Sequence, residues 1–215
     1  MNSEHYNDSV VYIVDDDRSV RLALSDLFAS VGLKVFGFAS VREFLEHRPE
    51  QAPACLILDV RMPEESGIEF HARMKALGIR LPVIFITGHG DIAMGVKAIK
   101  DGAIDFLPKP FRDQDLLDTV HQAINADRQR LIDDHNCRSL ERRYERLNPG
   151  ERAVFELVVK GLMNKQIASE LGVAEVTVKV RRSHLMHKMR ARSITDLVRM
   201  AVRLDARLSQ AGLEG

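Results

Sequence analysis

The feature that most restricts the fold of this chain is an alternation of short apolar runs with helical segments through its first half. Five nearly continuous apolar runs are separated by amphipathic stretches: Val10–Val14, Leu33–Phe38, Cys55–Leu58, Val83–Ile86 and Ile104–Leu107. Strands buried on both faces have this composition, and helices between them connect parallel strands. The pattern predicts an α/β domain with a doubly wound, five-stranded parallel sheet. Such sheets bind ligands at the carboxyl ends of their strands.

The second half is predicted to be all-α. No glycine or proline interrupts the chain from Asp113 to Leu147, so the fifth helix is expected to continue into a helical linker. Its apolar residues are spaced alternately three and four apart only over parts of the segment. A coiled coil is therefore compatible with the pattern but not required. Asn148 is the predicted N-cap of the next helix. Four short helices then fit, at about 150–160, 164–171, 175–190 and 194–208.

Charge is distributed unevenly along the chain. Residues 1–127 hold 13 Lys and Arg against 20 Asp and Glu, a net charge of −7. Residues 128–147 have a net charge of +2, and residues 148–215, with 12 against 7, have +5. We therefore predict an acidic domain over 1–127, a helical linker over 128–147 and a basic domain over 148–215. The basic domain is a candidate for binding phosphate backbones.

The composition argues against a membrane or secreted protein. The sequence has no run of about 18 apolar residues. Its polar start, Met1–Val10, lacks the basic and apolar parts of a signal peptide. The two cysteines, Cys55 and Cys137, lie far apart in unlike contexts, which favours reduced thiols. We expect a cytoplasmic protein with no membrane partner.

Polar residues suited to phosphoryl chemistry follow four of the predicted strands. These are Asp15 and Asp16 after the first strand, Asp59 after the third, Thr87 at the end of the fourth and Lys109 after the fifth. Strand ends converge at one edge of the sheet, where three carboxylates would repel one another without a cation. Hard oxygen ligands with positions open to water and phosphate suit Mg²⁺. A carboxylate can attack phosphorus to form an acyl phosphate, while Mg²⁺ and a lysine neutralise the transferring oxygens.

Each of these residues alone has an ordinary structural explanation. An aspartate after a strand is usually a turn or helix cap, and a single threonine or lysine usually has no chemical role. Their combination, in order and each at its own strand end, rarely arises by chance. The set therefore favours a functional site.

The sequence around these strand ends resembles the receiver domain of two-component response regulators, most closely the FixJ type. The resemblance covers the first half of the chain and is carried by Val14-Asp15-Asp16-Asp17, Leu58-Asp59-Val60-Arg61-Met62-Pro63, Ile86-Thr87-Gly88-His89 and Leu107-Pro108-Lys109-Pro110-Phe111. It implies a flavodoxin-like sheet and Asp59 as the residue phosphorylated by a sensor histidine kinase.

The same resemblance implies roles for the other site residues. Asp15, Asp16, Asp59 and the backbone carbonyl of Arg61 would hold Mg²⁺. Thr87 and Phe106 would be the switch pair, and Lys109 would bind the phosphoryl group, before a cis Pro110. Phe106 departs from the tyrosine common at this position, so it lacks the hydroxyl that would form a hydrogen bond in the active state.

The basic domain contains a helix, a glycine-containing turn at Gly172 and a second helix. One face of the second helix is apolar and the opposite face is not: Val178, Leu185 and Met189 against Val180, Ser183 and His187. Six basic residues and no acid occur between Val178 and Arg192: Lys179, Arg181, Arg182, Lys188, Arg190 and Arg192. A basic helix face alone is usually only solvated. Combined with the turn and the short partner helix, it favours DNA binding.

Leu162 to Leu171 and Val176 to Val180 resemble the LuxR/NarL-type helix-turn-helix. The resemblance implies that 174–189 is a recognition helix in the major groove. The implied DNA-binding residues are Lys179, Val180 and Ser183 at base edges, Thr177, Arg182, Lys165 and Lys188 nearer phosphates, and Arg181 beside them. Two positions depart from the family pattern. The usual opening Leu-Thr-x-Arg-Glu is Leu147-Asn148-Pro149-Gly150-Glu151 here, and Arg181 replaces the usual histidine.

The last predicted helix carries apolar residues at 3-4-3-4 spacing: Ile194, Leu197, Ala201, Leu204 and Leu208. Such a stripe packs either against its own domain or against a second copy. Because the family uses this helix for dimers, we predict a dimer seam.

The sequence thus predicts a phosphorylation-dependent transcription regulator that binds double-stranded promoter DNA and forms a homodimer when phosphorylated. We expect no enzymatic turnover beyond its own phosphorylation and dephosphorylation. The charge difference further predicts that the unphosphorylated acidic domain weakens DNA binding, and that a fragment from Asn148 onward binds DNA alone.

Three alternatives are disfavoured. A haloacid-dehalogenase-like phosphatase needs a second aspartate two residues after its nucleophile, where this chain has Arg61. A receiver that signals only through protein partners would not need the helix-turn-helix. A quorum-type small-molecule sensor would not carry the phosphorylation site in its first half.

Overall fold

The computed structural model describes residues 8–88 and 92–211 and divides into two compact units, Met1–Leu131 and Ile132–Gly215. The elements of the first unit are β1 (Val10–Val14), α1 (Arg18–Ser30), β2 (Lys34–Phe38), α2 (Val41–Glu46), β3 (Ala54–Asp59), α3 (Gly67–Met74), β4 (Val83–Thr87), α4 (Ile92–Lys100) and β5 (Asp105–Pro108). The helix α5 (Asp113–Glu145) begins in the first unit and ends in the second. The second unit continues with α6 (Pro149–Val159), α7 (Asn164–Leu171), α8 (Glu175–Met189) and α9 (Ile194–Ala211).

The first unit is built on five parallel strands in the order β2-β1-β3-β4-β5. Alternate strand residues face opposite sides of the sheet, and both sides are covered. Val11, Ile13 and Ile57 pack with α1 and α5, whereas Tyr12 and Leu58 pack with α2, α3 and α4. Every residue of β1, β3 and β4 is buried, which explains why these strands are almost continuously apolar. The predicted doubly wound sheet is confirmed.

The long helix α5 contributes to two separate cores. Leu116, Val120 and Ile124 pack in the first unit, and Leu140 packs in the second. Between these groups the helix is mostly polar, and Ile132 is exposed. The interrupted 3/4 spacing therefore reflects two different packing partners along one helix.

The four helices after α5 match the predicted ones closely. Asn148 caps α6 as predicted, because its side-chain oxygen accepts from the backbone N–H of Glu151 at 2.8 Å. α7 ends at Gly172, whose φ of 62° is the left-handed conformation that glycine adopts without a steric penalty. Val178, Leu185 and Met189 of α8 are fully buried, which confirms their predicted place on a core-facing side.

The residues predicted to form a dimer seam on α9 are the wrong ones. Leu197, Ala201 and Leu204 are buried in the core of their own unit, so the 3/4 stripe serves the domain itself. Ile194 is exposed, and the side chain of Leu208 lies outside the described residues. The exposed apolar residues of α9 form a different row, Ile194, Val198 and Val202.

Within the described residues, no helix is long and apolar enough to cross a membrane. Cys55 and Cys137 are both free thiols. Cys55 is fully buried, and this burial raises the pKa of its thiol above the ordinary value.

Candidate phosphorylation site and nucleic-acid interface

Two carboxylates from different strand ends converge on one lysine. The Nζ of Lys109 donates to Asp15 Oδ2 at 2.8 Å and to Asp59 Oδ1 at 3.1 Å. Asp15 is 1% exposed and Asp59 is 5% exposed, so both charges are held out of bulk water. The structure therefore brings together the residues that the sequence placed after β1, β3 and β5.

Thr87 reaches the same edge of the sheet. It is buried at the end of β4 and pairs with Pro108 of β5. Its backbone oxygen accepts from the N–H of Lys109 at 2.7 Å, which fixes the start of the loop that carries the lysine. The Lys109–Pro110 peptide bond is cis, as predicted.

The three consecutive aspartates after β1 have different roles. Asp15 accepts from the N–H of Asp17 at 2.8 Å, and Asp17 caps α1 by accepting from the N–H of Ser19 at 2.7 Å. Asp16 is exposed beside them. Arg21 of α1 binds the backbone oxygens of Asp15 and Asp16 at 2.6 and 3.0 Å. Sequence analysis did not identify Arg21, because its partners are backbone atoms.

Asp59 is held by its own loop. Its Oδ2 accepts from the N–H of Arg61 at 2.8 Å. Gly67, at the start of α3, lies so close that a Cβ built on it would be 2.1 Å from the backbone oxygen of Asp59. Any side chain at Gly67 would displace the backbone at Asp59. Sequence analysis missed Gly67, and its position directly after the N-cap Ser66 was the available signal.

The site is short of positive charge. Burial raises the pKa of Asp59, and the charge of Asp15 adds to that effect, while Lys109 only partly offsets it. Burial lowers the pKa of Lys109, but its bonds to Asp15 and Asp59 outweigh this, so the lysine pKa is raised and it stays protonated at neutral pH.

This donor set fits Mg²⁺. No ready-made cluster of three metal-ligating side chains occurs within residues 8–88 and 92–211, since Lys109 lies between Asp15 and Asp59 and Asp16 points to solvent. The available donors are hard oxygens, and one lysine leaves the buried carboxylates undercompensated. A divalent cation would supply the missing charge.

The ring of Phe106 is partly buried beside the site. It packs against Phe85, with ring centroids 6.3 Å apart. A Cβ built on Gly95 of α4 would lie 3.0 Å from its Cδ1, so the absence of a side chain at Gly95 makes room for the ring. Phe106 therefore contacts both β4 and α4.

The outward face of α8 presents a mixed polar and apolar surface. Val180 is 49% exposed and Val176 is 66% exposed. Lys179 and Ser183 are exposed with them, whereas Thr177 is half-buried. Sequence analysis assigned all of these except Val176. On α7, Lys165 is also exposed.

Several basic residues of the second unit already have partners. Lys188 donates to Glu151 Oε2 at 2.6 Å, and Glu151 is 1% exposed. Arg182 donates to Asn164 Oδ1 at 2.7 Å, and Lys179 forms an exposed ion pair with Glu175 at 3.1 Å. Lys188 therefore connects α8 to α6, and its proximity to DNA phosphates stays a prediction.

Comparison with known proteins gives the same two-part division. Residues 11–121 match the response regulator receiver domain, and residues 145–201 match the bacterial regulatory proteins of the luxR family. Nodulation protein W of Bradyrhizobium diazoefficiens is 50% identical over 200 residues, covering 93% of this chain and 88% of that protein. Response regulator protein TmoT of Ectopseudomonas mendocina is 48% identical over 206 residues, covering 95% of this chain and 94% of that protein.

Solved structures agree with these matches. Response regulator StyR superposes with a TM-score of 0.81 at 45% identity, covering 91% of this chain and 99% of that one. Full-length FixJ from B. japonicum gives a TM-score of 0.55 at 37% identity, covering 94% and 98%. The fold and the matches define a receiver joined to a DNA-binding domain. The chain belongs to the response regulators and is a transcriptional regulator of the kind represented by FixJ and TodT.

Proposed function

We propose that Asp59 is the phosphoacceptor and that a sensor histidine kinase is the donor. The observation that carries this proposal is the convergence of Asp59 and Asp15 on Lys109 at a buried strand edge. The nucleophile is held in place by the N–H of Arg61 and by the backbone of Gly67.

In this scheme an Asp59 oxygen bonds to phosphorus as the bond between phosphorus and the imidazole nitrogen of the donor breaks. Lys109 exchanges part of its contact with the carboxylates for a phosphoryl oxygen. Asp15, Asp16, Asp59 and the backbone carbonyl of Arg61 would hold Mg²⁺, which when bound offsets the phosphoryl charge. The hydroxyl of Thr87 then donates to the product, and Phe106 changes position beside α4.

Intact-mass spectrometry tests the assignment. The full chain is treated with acetyl phosphate and Mg²⁺. A single phosphoryl adduct is expected on the wild type and on Asp101→Asn, an exposed control, but not on Asp59→Asn. An adduct of equal yield on Asp59→Asn would place the acceptor elsewhere.

We further propose that residues 1–127 act as the receiver and 148–215 as the DNA-binding part, with the helical segment 128–147 between them. The exposed face of α8 supports the DNA assignment. Lys179, Val180 and Ser183 would contact base edges in the major groove. Thr177, Arg182, Lys165 and Lys188 would lie nearer the phosphates, with Arg181 beside them. Arg182 would use donors that do not bind Asn164, and Lys188 donors that do not bind Glu151.

Operator titrations distinguish the two classes of contact. Lys179→Ala and Ser183→Ala should change which bases are preferred, by roughly 1–3 kcal/mol at one position. Lys165→Ala should weaken all DNA about equally and reduce the salt slope by about 1. Lys160, also exposed, provides the charge-matched control for Lys165. Unchanged base preference in the α8 variants would mean that another surface reads the DNA.

For the phosphorylated homodimer, we propose the exposed α9 row of Ile194, Val198 and Val202 as the contact. These residues are spaced four apart, so they share one helix face. Val198→Glu should keep the phosphorylated protein monomeric in analytical ultracentrifugation. Persistence of the dimer in this variant would assign the contact to another surface.

A further inference from the structure

We propose that residues 139–147, the end of α5 and the turn that follows it, complete the DNA-binding unit, which then begins before residue 148, and that Arg143 is a positioning residue for α8. The proposal rests on the proposed role of α8 in DNA binding. It gives the segment that connects the two units a role in DNA binding, because this segment would hold α8 in position.

The first line of support is packing. Leu140 is 6% exposed and Leu147 is 3% exposed, and both lie in the core of the second unit. The ring of Tyr144 meets Phe155 of α6 edge-on, with centroids 5.4 Å apart. The guanidinium of Arg152 lies over the same tyrosine ring at 5.4 Å. The end of α5 therefore covers apolar surface that α6 would otherwise expose.

The second line of support is a cap on the recognition helix. Nη1 of Arg143 donates to the backbone oxygen of Met189 at 3.2 Å, and Nη2 donates to Ser139 Oγ at 3.1 Å. Met189 is the last residue of α8 and is fully buried. The last carbonyls of a helix lack intrahelical partners, and a cation there is favourable for the helix dipole. Arg143 supplies both the donor and the charge.

A second contact holds the same turn of α8. Lys188 Nζ, which binds Glu151 at 2.6 Å, also donates to the backbone oxygen of Arg146 at 3.3 Å. Two consecutive residues of α8 are thus bound to the last turn of α5 and the turn that follows it. Together these contacts fix the position of α8 along its own axis, and therefore which of its side chains reach the bases.

A fragment beginning at Asn148 lacks every contact made by residues 139–147, and of the contacts described above it keeps only the Lys188–Glu151 pair. It would lose Leu140 and Leu147 from the core and Arg143 from the end of α8. That this fragment binds DNA alone stays a prediction, but it would do so without the contacts that position α8.

The test uses the full-length protein with acetyl phosphate and Mg²⁺ at fixed salt. The variants are Arg143→Ala, Arg143→Lys and the control Arg142→Ala, which removes the same charge from an exposed neighbour on the same helix. Operator affinity, its salt slope and base preference are measured, and circular dichroism verifies the fold.

Arg143→Ala should weaken operator binding roughly fivefold, because fewer molecules hold α8 in the competent position. Its base preference should broaden while the salt slope stays unchanged. Arg143→Lys should recover part of the affinity, since an ammonium can also donate to the Met189 carbonyl. Arg142→Ala should match the wild type.

Two outcomes would overturn the proposal. A salt slope reduced by about 1 would make Arg143 a phosphate contact instead. Wild-type affinity and base preference in Arg143→Ala would show that the cap has no role. If Arg143→Ala does not fold, Arg143→Met, which keeps an apolar side chain but has neither donor nor charge, decides by the same two readouts. Failure of the wild-type protein to bind operator would refute the proposed function and not this inference.

Discussion

The guanidinium of Arg181 in α8 lies against the backbone of Gly150 in α6. A Cβ built on Gly150 would be 2.9 Å from Cζ of Arg181. Both positions depart from the LuxR/NarL pattern, which has arginine at the first and histidine at the second. The departures are therefore linked: loss of a side chain on α6 makes room for a cation supplied by α8.

This contact predicts non-additive effects on DNA binding. Gly150→Ala should displace the Arg181 guanidinium and weaken operator binding, but should have no effect in an Arg181→His background. Residues in contact usually show interaction energies of about 0.5–3 kcal/mol in such cycles. Binding titrations of the four proteins at one salt concentration measure this energy. Additive effects would show that Gly150 does not control the position of Arg181.

Gly67 is expected to be essential to the backbone at Asp59, the proposed phosphoacceptor. Gly67→Ala forces a Cβ against the backbone oxygen of Asp59, which cannot move aside as a flexible side chain could. We expect a loss of about 1–3 kcal/mol of stability and a strong reduction of phosphoryl uptake. Thermal unfolding and intact-mass spectrometry measure the two effects. Gly37→Ala is the control, since its nearest neighbours, atoms of Arg21, lie at 3.7 and 3.8 Å.

The Glu151–Lys188 pair predicts a pH-dependent stability of the second unit. Burial raises the pKa of Glu151, but the bonds from Lys188 and Asn148 and the nearby charges outweigh it, so the pKa is lowered. A lowered pKa contributes stability above the unfolded pKa of about 4.3 and loses it as pH falls through the folded pKa.

Glu151→Gln should therefore destabilise α8 at pH 7, by about 1.5–3 kcal/mol, and progressively less towards acid pH. Amide hydrogen-exchange protection over residues 175–189 reports the change. His184, whose Nδ1 lies 3.9 Å from Glu151, is replaced by Gln as a control for its own titration. A constant difference between wild type and Glu151→Gln across this range would contradict the linkage.

The exposure of Val180 predicts a thymine methyl contact. Replacing the contacted thymine by uracil should weaken operator binding by the wild-type protein roughly fourfold, because the replacement removes one buried methyl group. Val180→Ala should be insensitive to the replacement. Val202→Ala, at an exposed valine of α9, should retain the sensitivity. If Val180→Ala remained sensitive to the replacement of thymine by uracil, Val176 would be assigned the contact instead.

Strand-level organisation was predictable because buried parallel strands demand apolar residues at nearly every position, as β1 and β3 show. Their order then placed Asp15, Asp59 and Lys109 at one edge. The 3/4 pattern of α9 identified a helix with an apolar face, but it could not distinguish the core of its own domain from a second copy. Leu197 and Ala201 have the same spacing in either case.

Residues that act through the backbone could not be predicted. Arg21 binds two carbonyls, Arg143 binds one, and Gly67 matters for the side chain it lacks. The acid-free stretch that contains Lys188 predicts a role at DNA but does not indicate its ion pair within the unit. Its partner Glu151 is 37 residues away in the sequence, so local charge counting could not reveal the pair.

The division of α5 between two cores has a practical meaning for hybrid regulators. Asp127 binds the first unit, since its side chain accepts from the N–H of Ala54 at 3.0 Å, and Leu140 is the first residue of α5 in the core of the second unit. Between them the helix is mainly solvated. A graft that joins this receiver to a foreign output domain should be spliced between Asp127 and Leu140, since a junction at the Asn148 turn would transplant an output domain without the helix that completes it.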